Sequence, residues 1–251
     1  MARGVDPMSR FYVPQPQIEK GMMRVEGHEV RHIRNVLRLN VGDTLTIFDG
    51  SGTEYEGMIM ELRSTAARIM IHRSSAPQRD SSLEIILAQS LLKGEKMDTL
   101  IQKATELGVT EIVPFFSSRS IPLLEKKQEM KRHLRWEKIA VEASKQCGRG
   151  VLPKVWPIQD YPGVLQLAPQ DSIKLILWER EGLGLKEILR RPKEESIFFV
   201  VGPEGGFSER EVEEAKGKGF TPIFLGKRIL RSETTSLSLL SILQYEWGDI
   251  G

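Results

Sequence analysis

Two glycine-containing loops near the C-terminal end of the chain carry the residues best placed for chemistry. The first loop, residues 202–206 (GPEGG), follows the apolar run 197–201, which is typical of a strand buried on both faces. The second loop, residues 226–231, follows the predicted strand 221–225. Glycine has no Cβ, so the backbone of each loop can approach a ligand closely. We therefore expect both loops at one edge of a sheet, where open α/β sheets bind ligands.

The surroundings of these loops narrow the choice of ligand. No G-x-G-x-x-G follows a predicted strand, and residues 202–206 lack the following Lys and Ser/Thr of a phosphate-binding P-loop. Leu225, Ile229 and Leu230 would give a pocket apolar walls, which suit the face of an adenine ring whose edge bonds to backbone groups. Ser208 and Glu211 form an S-x-x-E capping box, which predicts a helix directly after the first loop.

These segments together resemble the cofactor-binding end of the SPOUT class of RNA methyltransferases, and within that class the bacterial 16S ribosomal RNA uridine-N3 methyltransferase family. The matching segments run in that family's order over most of residues 83–247: residues 102–109, 146–149, 202–208, 225–226, 229–231 and 233–234. The resemblance implies a SPOUT-type mainly parallel α/β sheet with a C-terminal trefoil knot, preceded by a PUA-like β-barrel. It also implies S-adenosylmethionine (SAM) as cofactor, a homodimer, and 16S ribosomal RNA as substrate. We expect the RNA to be in the assembled small subunit, and naked RNA is the alternative that the sequence leaves open.

Methyl transfer to a uracil ring nitrogen needs alignment more than covalent catalysis, because the sulfonium of the cofactor already activates the methyl group. The ring proton must leave, and a nearby cation would stabilise the resulting anion. We expect Arg231 to supply this cation and Glu233 to accept the proton or to orient Arg231. Glu204 would hold either its loop or the sulfonium side of the cofactor. An Arg231–Glu233 ion pair that caps the last helix is an equally good interpretation of the sequence alone.

The remaining site predictions follow from the strand ends and from the resemblance. The expected cofactor-binding residues are Leu177, Trp178, Glu179, Val201, Gly202, Pro203, Glu204, Gly205, Gly206, Leu225, Gly226, Ile229, Leu230, Arg231, Thr234, Ser236 and Leu237. The expected RNA-binding residues are Arg10, Arg31, Arg34, Arg38, Arg119 and Arg149. The last helix, predicted at residues 235–247, carries apolar residues that line either the core or a dimer interface. No residue is assigned to a metal.

Residues 1–73 are predicted to form a small β-rich domain, with strands at 10–13, 44–48, 53–60 and 66–72 and one helix at 28–38. Arg31, Arg34 and Arg38 share one side of that helix, an arrangement that suits phosphate contacts. Such a row by itself is more often a solvated surface, and the resemblance to an RNA-binding PUA-like barrel reverses that preference. Residues 74–82 are polar and contain a proline, which indicates a linker.

Residues 83–251 alternate predicted strands with predicted helices, which indicates a mainly parallel sheet with helices on both faces. Strands are expected at 83–88, 109–116, 155–158 and 173–178, and helices at 95–107 and 125–147. Cys147, at the end of the second helix, is interpreted as a buried thiol. It is not needed as a nucleophile, since attack from a ring nitrogen requires no covalent adduct.

A zinc site is the main competing motif. Residues 28–32 (HEVRH) match H-E-x-x-H, which on a helix would place both histidines on one face. Only His72 and His133 remain as further histidines, and no third ligand lies at a familiar spacing downstream. We therefore favour a methyltransferase over two alternatives, a non-catalytic RNA-binding module and a zinc hydrolase.

The composition sets the remaining bounds. A hydrophobic content of 40% and a charged content of 28% are typical of a soluble globular protein. The net charge is only +2, so any RNA must be held by local basic patches. The single cysteine excludes an internal disulfide and fits a reducing cytoplasm. No apolar run approaches transmembrane length, and the N-terminus lacks the apolar core of a signal peptide. Met8 is an alternative start, which would make residues 1–7 an extension.

Overall fold

The computed structural model describes residues 9–77, 80–120, 124–190 and 192–251. The chain divides into two compact units, which are described separately below. The first comprises the residues up to Asp80 together with Ser144–Leu152, and the second comprises Ser81–Ala143 and Pro153–Gly251. The sequence predicts the linker but does not reveal that residues 144–152 cluster with the first unit. The alternative start at Met8 and linker residues 78–79 lie outside the described residues.

The first unit is built on one six-stranded sheet. Its strands are β1 (Arg10–Tyr12), β2 (Ile18–Glu19), β3 (Met22–Glu26), β4 (Thr44–Phe48), β5 (Glu54–Leu62) and β6 (Ala66–Ser75). The spatial order is β1-β4-β5-β6-β3-β2, with β1 parallel to β4 and the other pairs antiparallel. The four strands predicted from the sequence are present. Strands β2 and β3 are additional. Strand β2 is too short to show alternation, whereas β3 is as long as β4 and was missed although its residues alternate between buried and exposed.

The helix predicted at residues 28–38 is shorter and less regular than expected. An α-helix, α1 (His28–Arg31), continues as a π-helix over His32–Val36, in which the Leu37 N–H donates to the His32 carbonyl at 3.1 Å. Arg38 follows in the left-handed region, at φ 52°. The prediction of one regular α-helix over residues 28–38 is therefore wrong. Arg31, Arg34 and Arg38 are all exposed, and their sharing of one side stays a prediction.

The second unit alternates strands and helices around an eight-stranded sheet. Its elements are β7 (Glu84–Ser90), α2 (Lys96–Glu106), β8 (Glu111–Phe116), α3 (Lys126–Cys147, of which residues 144–147 cluster with the first unit), β9 (Lys154–Val155), β10 (Gln159–Asp160), α4 (Tyr161–Leu167), β11 (Ile173–Leu177), β12 (Leu183–Gly184), α5 (Leu185–Leu189), β13 (Ser196–Val201), α6 (Glu209–Gly217), β14 (Thr221–Phe224) and α7 (Ser232–Trp247). The strand order is β10-β8-β7-β13-β11-β14-β12, with β9 beside β8, and the pairs are parallel. The predicted mainly parallel sheet is confirmed.

Successive side chains of the central strands point to opposite faces of the sheet and pack in two apolar layers. Ile85 and Leu87 of β7 pack on one face of the sheet with α2 and α7, whereas Ile86 and Ala88 pack on the other face with α4 and α6. Both faces are therefore covered, which is why β7 and β13 appear in the sequence as continuous apolar runs. Leu240 and Leu243 of α7 are fully buried in the first of these layers, so these two residues belong to the core.

Two local predictions need correction. Helix α4 was missed, although Asp160 is its N-cap and accepts a hydrogen bond from the Gly163 N–H at 2.8 Å, and a proline follows within its first turn. Cys147 is exposed rather than buried. Burial continues through Ser144 and Lys145, but the helix ends at Cys147 and the chain turns at Gly148 (φ 84°), which leaves Cys147 exposed. Among the described residues, every helix falls short of the length or apolarity that a membrane crossing requires.

Candidate functional site

Three neighbouring parallel strands, β13, β11 and β14, bring their carboxyl ends to one edge of the sheet. A cavity of about 460 Å³ opens at this edge. Strand β13 lies beside β7, whose chain continues into β8 on the opposite side, so the cavity lies near a point where the winding of the sheet changes direction. Open α/β sheets bind their ligands at such a point.

Most of the residues predicted to bind the cofactor line this cavity. They are Leu177, Trp178, Glu179, Val201, Gly202, Pro203, Glu204, Gly205, Gly206, Leu225, Gly226, Ile229, Leu230 and Arg231. Sequence reasoning missed the further lining residues Ile223, Phe224, Arg228, Ser232 and Thr235, although all of them belong to the second predicted loop or its flanks. Thr234, Ser236 and Leu237 do not line the cavity; Thr234 is exposed, Ser236 is fully buried, and Leu237 packs against the core.

The first glycine loop is held in a tight turn. The Gly206 N–H donates to the Pro203 carbonyl at 2.9 Å, and Gly206 has φ 64°, a conformation that side-chain-bearing residues rarely adopt. A Cβ added to Gly206 would also lie 3.1 Å from Oε1 of Glu179. Glycine is therefore favoured at this position by its backbone conformation, and a side chain there would also displace the carboxylate of Glu179, which follows β11.

The predicted capping box after this loop is confirmed. Ser208 is the N-cap of α6, and the buried Glu211 carboxylate accepts hydrogen bonds from the Ser208 N–H at 2.8 Å and from its Oγ at 2.7 Å. Glu211 also accepts from the N–H and the hydroxyl of Ser118, at 2.8 and 2.7 Å. Burial raises the pKa of Glu211, but the hydrogen bonds from Ser118 and Ser208 outweigh it, so the pKa is held below its ordinary value. This carboxylate ties the loop after β8 to the start of α6.

Arg119, predicted to contact RNA, lies against the glycine loop instead of standing free. Its Nη1 donates to the Gly205 carbonyl at 3.1 Å and to the Phe207 carbonyl at 3.4 Å. The side chain is exposed, so these bonds use only part of its donor capacity. Arg119 thus supports the backbone of a loop that lines the cavity, a contact that no local sequence signal indicates.

A buried hydrogen-bond network joins the ends of β7, β13 and the start of α7. The Ser232 hydroxyl donates to the Gly202 carbonyl at 2.5 Å and accepts from Nε2 of Gln89 at 2.9 Å. Oε1 of Gln89 accepts from the Ser236 hydroxyl at 2.6 Å. Gln89, Ser232 and Ser236 are at most 6% exposed, so their polar groups are satisfied by one another and by the backbone carbonyls of Ser90, Gly202 and Ser232. Ser236 therefore supports the cavity from the protein interior and does not line it.

A second, more exposed contact links the same elements. The Lys96 ammonium donates to Oε1 of Glu204 at 3.1 Å and lies 3.4 Å from Oε1 of Glu233. The pKa of Lys96 is raised, first by the hydrogen bond to Glu204 and further by Glu233. Burial raises the pKa of Glu204, but backbone hydrogen bonds and the Lys96 ammonium together hold it below its ordinary value. Lys96 was not singled out from the sequence.

The ion pair between Arg231 and Glu233, one of the two sequence interpretations, is not formed. Glu233 pairs with Lys96, whereas Arg231 is the N-cap residue of α7 and makes no side-chain capping bond. Within the described part of the chain, Arg231 has no carboxylate partner, is exposed, and lines the cavity. Its guanidinium group is therefore available to a ligand, as the catalytic interpretation requires.

The chain is similar to known RNA methyltransferases over most of its length. A family model for an RNA methyltransferase domain matches residues 79–244, and a model for an RNA methyltransferase PUA domain matches residues 25–65. A relative named ribosomal RNA small subunit methyltransferase E, from Bacillus subtilis, is 33% identical over 249 residues, which cover 95% of this chain and 97% of the relative. The chain belongs to the ribosomal RNA small subunit methyltransferase E family.

Solved structures of similar proteins support the same fold. The Neisseria gonorrhoeae ribosomal RNA small subunit methyltransferase E, bound to SAM, has a TM-score of 0.89 and 38% identity, and covers 97% of this chain and 100% of its own. A Legionella pneumophila methyltransferase, in complex with SAM, has a TM-score of 0.88 and 32% identity, and covers 96% of this chain and 99% of its own. The residues matched by the PUA model lie in the first unit, and most of those matched by the methyltransferase model lie in the second, with residues 144–152 as the main exception.

Two of the predicted RNA-binding arginines of this family member are buried in the first unit. Arg10 is 6% exposed, pairs with Glu54 at 2.8 Å and donates to the Arg149 carbonyl at 3.0 Å. Arg149 is 8% exposed and pairs with Asp80 at 2.7 Å. Their placement does not support phosphate contacts, because the guanidinium groups hold the sheet and residues 144–152 together. This corrects the sequence-based assignment of Arg10 and Arg149.

The HEVRH segment does not have the arrangement of a zinc site. The Glu29 carboxylate accepts a hydrogen bond from Lys145 at 2.5 Å, so its nearest partner is a cation. Nδ1 of His32 lies 3.9 Å from Oε2 of Glu29, and the ring of His32 packs edge-on against Phe11. Across residues 9–77, 80–120, 124–190 and 192–251, no three His, Cys, Asp or Glu side chains are grouped so that they could hold a metal ion.

Proposed function

We propose that this protein transfers a methyl group from SAM to the N3 atom of a specific uridine in 16S ribosomal RNA. The observation that carries the proposal is the cavity at the ends of β13, β11 and β14, in a chain that belongs to the small subunit methyltransferase E family. Two similar solved structures, from Neisseria gonorrhoeae and Legionella pneumophila, are bound to SAM, which supports the choice of cofactor.

The residues around the cavity fit this cofactor. A volume of about 460 Å³ lies within the range of roughly 300–1,000 Å³ that small-molecule sites occupy. Leu225 and Leu230 supply apolar surface for an adenine ring, and the glycine loops supply backbone donors and acceptors for its edge and for the ribose. Nε1 of Trp178 is buried and has no hydrogen-bond partner in the described protein, which leaves a donor near the cavity. Bound SAM would supply an electrophilic methyl group.

Arg231 is the residue that we propose to act on the substrate. Loss of the N3 proton spreads negative charge over the uracil oxygens, and a guanidinium group presents several donors in a rigid plane to such a charge. Arg231 lines the cavity and is free of carboxylate partners among the residues described, so it can meet that charge as it develops. Glu233 does not line the cavity and pairs with Lys96, so we assign it a positioning role rather than a catalytic one.

We propose that the exposed arginines of the first unit contact ribosomal RNA. Arg31, Arg34 and Arg38 lie on or just after the helical segment and face solvent. Because the net charge is only +2, such local clusters must supply the phosphate contacts. Replacing these three arginines by glutamine should weaken RNA binding and reduce its salt dependence, while SAM affinity stays unchanged.

We further propose a cytoplasmic homodimer that acts on the assembled small ribosomal subunit. The single cysteine fits a reducing cytoplasm, and the family resemblance supports a homodimer that acts on the small subunit. Light scattering at micromolar concentration tests the dimer, and a monomer mass would contradict it. Parallel reactions on naked 16S ribosomal RNA and on small subunits from cells that lack the protein test the form of the substrate.

The central experiment is a methylation assay with full-length protein, labelled SAM and small subunits from cells that lack the protein. The expected result is label in one uridine, identified as 3-methyluridine by mass spectrometry of nucleosides and of RNA fragments. Label in another base or atom would contradict the proposed product. RNA binding without any methyl transfer would favour the alternative of a non-catalytic RNA-binding module.

A further inference from the structure

Lys96 joins two segments of the cavity that are far apart in sequence. It is the first residue of α2, and its ammonium group lies 3.1 Å from Oε1 of Glu204 and 3.4 Å from Oε1 of Glu233. Glu204 belongs to the first glycine loop and lines the cavity. Glu233 belongs to the first turn of α7, directly after Ser232, which also lines the cavity. One ammonium group thus spans the outer side of both segments.

The two carboxylates need this ammonium group between them. Because both Oε1 atoms lie within 3.4 Å of one nitrogen atom, the carboxylates of Glu204 and Glu233 would repel each other if the positive charge were removed. Oε2 of Glu233 is buried and has no hydrogen-bond partner in the described residues. Glu233 therefore relies on Lys96, and loss of Lys96 would leave Glu204 and Glu233 to repel each other at the outer edge of the cavity.

Lys96, Glu204 and Glu233 are partly exposed, unlike the buried network that contains Ser232, and this difference distinguishes the roles of the two sets of contacts. The side chains of Lys96, Glu204 and Glu233 are 34%, 30% and 21% exposed, so solvent weakens their contribution to the stability of the fold. The bond from Ser232 to the Gly202 carbonyl holds the same two segments from the interior. Removing Lys96 should then leave the fold intact and release only the outer edge of the cavity.

We propose that Lys96 is a positioning residue for the SAM cavity, which holds the first glycine loop against the first turn of α7 through Glu204 and Glu233. The inference rests on the proposed function, because it takes SAM as the ligand of this cavity. It also assigns Glu204 one of its two predicted roles, which is to hold its loop. A carboxylate already paired with an ammonium group has less attraction for the sulfonium of a cofactor.

A pH profile distinguishes this role from ordinary packing. Burial raises the pKa of Glu204, whereas backbone hydrogen bonds and the Lys96 ammonium lower it, and the net pKa lies below the ordinary value. In Lys96→Met the contribution of the ammonium group disappears and that of burial remains. In wild type, protonation of Glu204 breaks its bond to Lys96, so SAM affinity should fall at acid pH. In Lys96→Met, protonation of Glu204 instead relieves its repulsion from Glu233, so SAM affinity should rise as pH is lowered. Lys96→Met with Glu204→Gln should lack this pH dependence.

The test is calorimetric titration of SAM into full-length wild type, Lys96→Met and Lys96→Arg between pH 4 and pH 8. Lys103→Met is the matched control. Lys103 lies on the same helix, its ammonium group is 2.9 Å from Oε1 of Glu106, and neither residue lines the cavity. We expect Lys96→Met to weaken SAM binding about three- to tenfold, as for a partly exposed charged bridge, with a melting temperature close to that of the control. Lys96→Arg should recover most of the affinity.

The outcomes separate this inference from the proposed function. Equal SAM affinity and equal pH profiles in wild type and Lys96→Met would overturn the role of Lys96 and leave the proposed function standing. If wild type binds no SAM, the proposed function is overturned and this inference with it. If Lys96→Met is unfolded and Lys96→Arg shows no SAM binding, Lys96 stabilises the fold, and the positioning role is overturned.

Discussion

Replacing Ser232 by alanine removes the hydroxyl group that joins the first turn of α7 to the end of β13. The side chain is 6% exposed and stands between the Gly202 carbonyl, 2.5 Å away, and Nε2 of Gln89, 2.9 Å away. Alanine leaves both partners in place without a hydroxyl to meet them. Gln89 keeps a bond from Nε2 to the Ser90 carbonyl at 3.0 Å, so the Gly202 carbonyl loses more.

The cost can be worked from these two bonds. Each buried polar group that loses its partner costs about 1–3 kcal/mol, and Gln89 retains one acceptor, so we expect about 2–4 kcal/mol in the free energy of unfolding. At roughly 2–4 °C per kcal/mol for a chain of this size, the melting temperature should fall by about 5–15 °C. SAM affinity should fall as well, because Gly202 and Ser232 both line the cavity.

Ser241→Ala on the same helix is the matched control. Its hydroxyl is partly buried and donates only to the Leu237 carbonyl one turn earlier, at 2.8 Å. That carbonyl belongs to the helix, and alanine is the better helix former, so the free energy of unfolding should change by less than about 0.5 kcal/mol. Scanning calorimetry and SAM titration on both variants make the comparison. If Ser232→Ala melts and binds like Ser241→Ala, the network does not position the cavity and the argument fails.

Three further predictions concern Arg231, Glu211 and His32. Arg231→Ala should lower the methyl-transfer rate by about 100-fold or more, while SAM affinity and melting temperature change little. Arg231→Lys should recover only part of the rate, because an ammonium group lacks the planar fork of donors. Steady-state kinetics and calorimetry check this, and unfolding of Arg231→Ala would contradict it. Glu211 has a folded pKa below its ordinary value, so its stabilising effect is complete above the unfolded pKa of about 4.3 and is lost as pH falls through the folded pKa. Glu211→Gln should therefore cost about 2 kcal/mol at pH 7, and the gap to wild type in urea unfolding should close at lower pH; a gap that stays constant with pH would refute the hydrogen-bonded carboxylate. His32→Ala should retain methyl transfer, and elemental analysis should find no stoichiometric zinc in wild type; one equivalent of zinc that is lost in the variant would revive the hydrolase.

The glycine loops and the helix after them could be predicted because their signals are local. The apolar run that forms β13 ends at Gly202, and the capping residues Ser208 and Glu211 are three positions apart, as one helical turn demands. Parallel strands then bring such loops to one edge by topology, which made most of the cavity lining predictable. The trefoil knot expected from the resemblance stays a prediction.

Predictions failed where a side chain's partner lies far away in sequence. Arginine is a residue type that commonly contacts phosphate, but Arg10 is buried, with its guanidinium group bonded to Glu54 and to the Arg149 carbonyl. The helix at residues 28–38 has an α-helical apolar pattern, yet it widens into a π-helix at His32–Val36. Periodicity reports which residues face a core and is insensitive to one extra residue in a turn.

The sequence by itself determined the class of sheet, the two glycine loops and the residues at their strand ends. These features depend on local conformational propensity and on the spacing of apolar residues along the chain. Only the tertiary structure decided how the loops are held. Gln89 and Ser232 are joined across a separation of 143 residues, and Lys96 and Glu204 across 108. No short-range pattern encodes such pairs, because a hydrogen bond or an ion pair depends on the distance between two atoms in space, and the folded chain alone sets that distance.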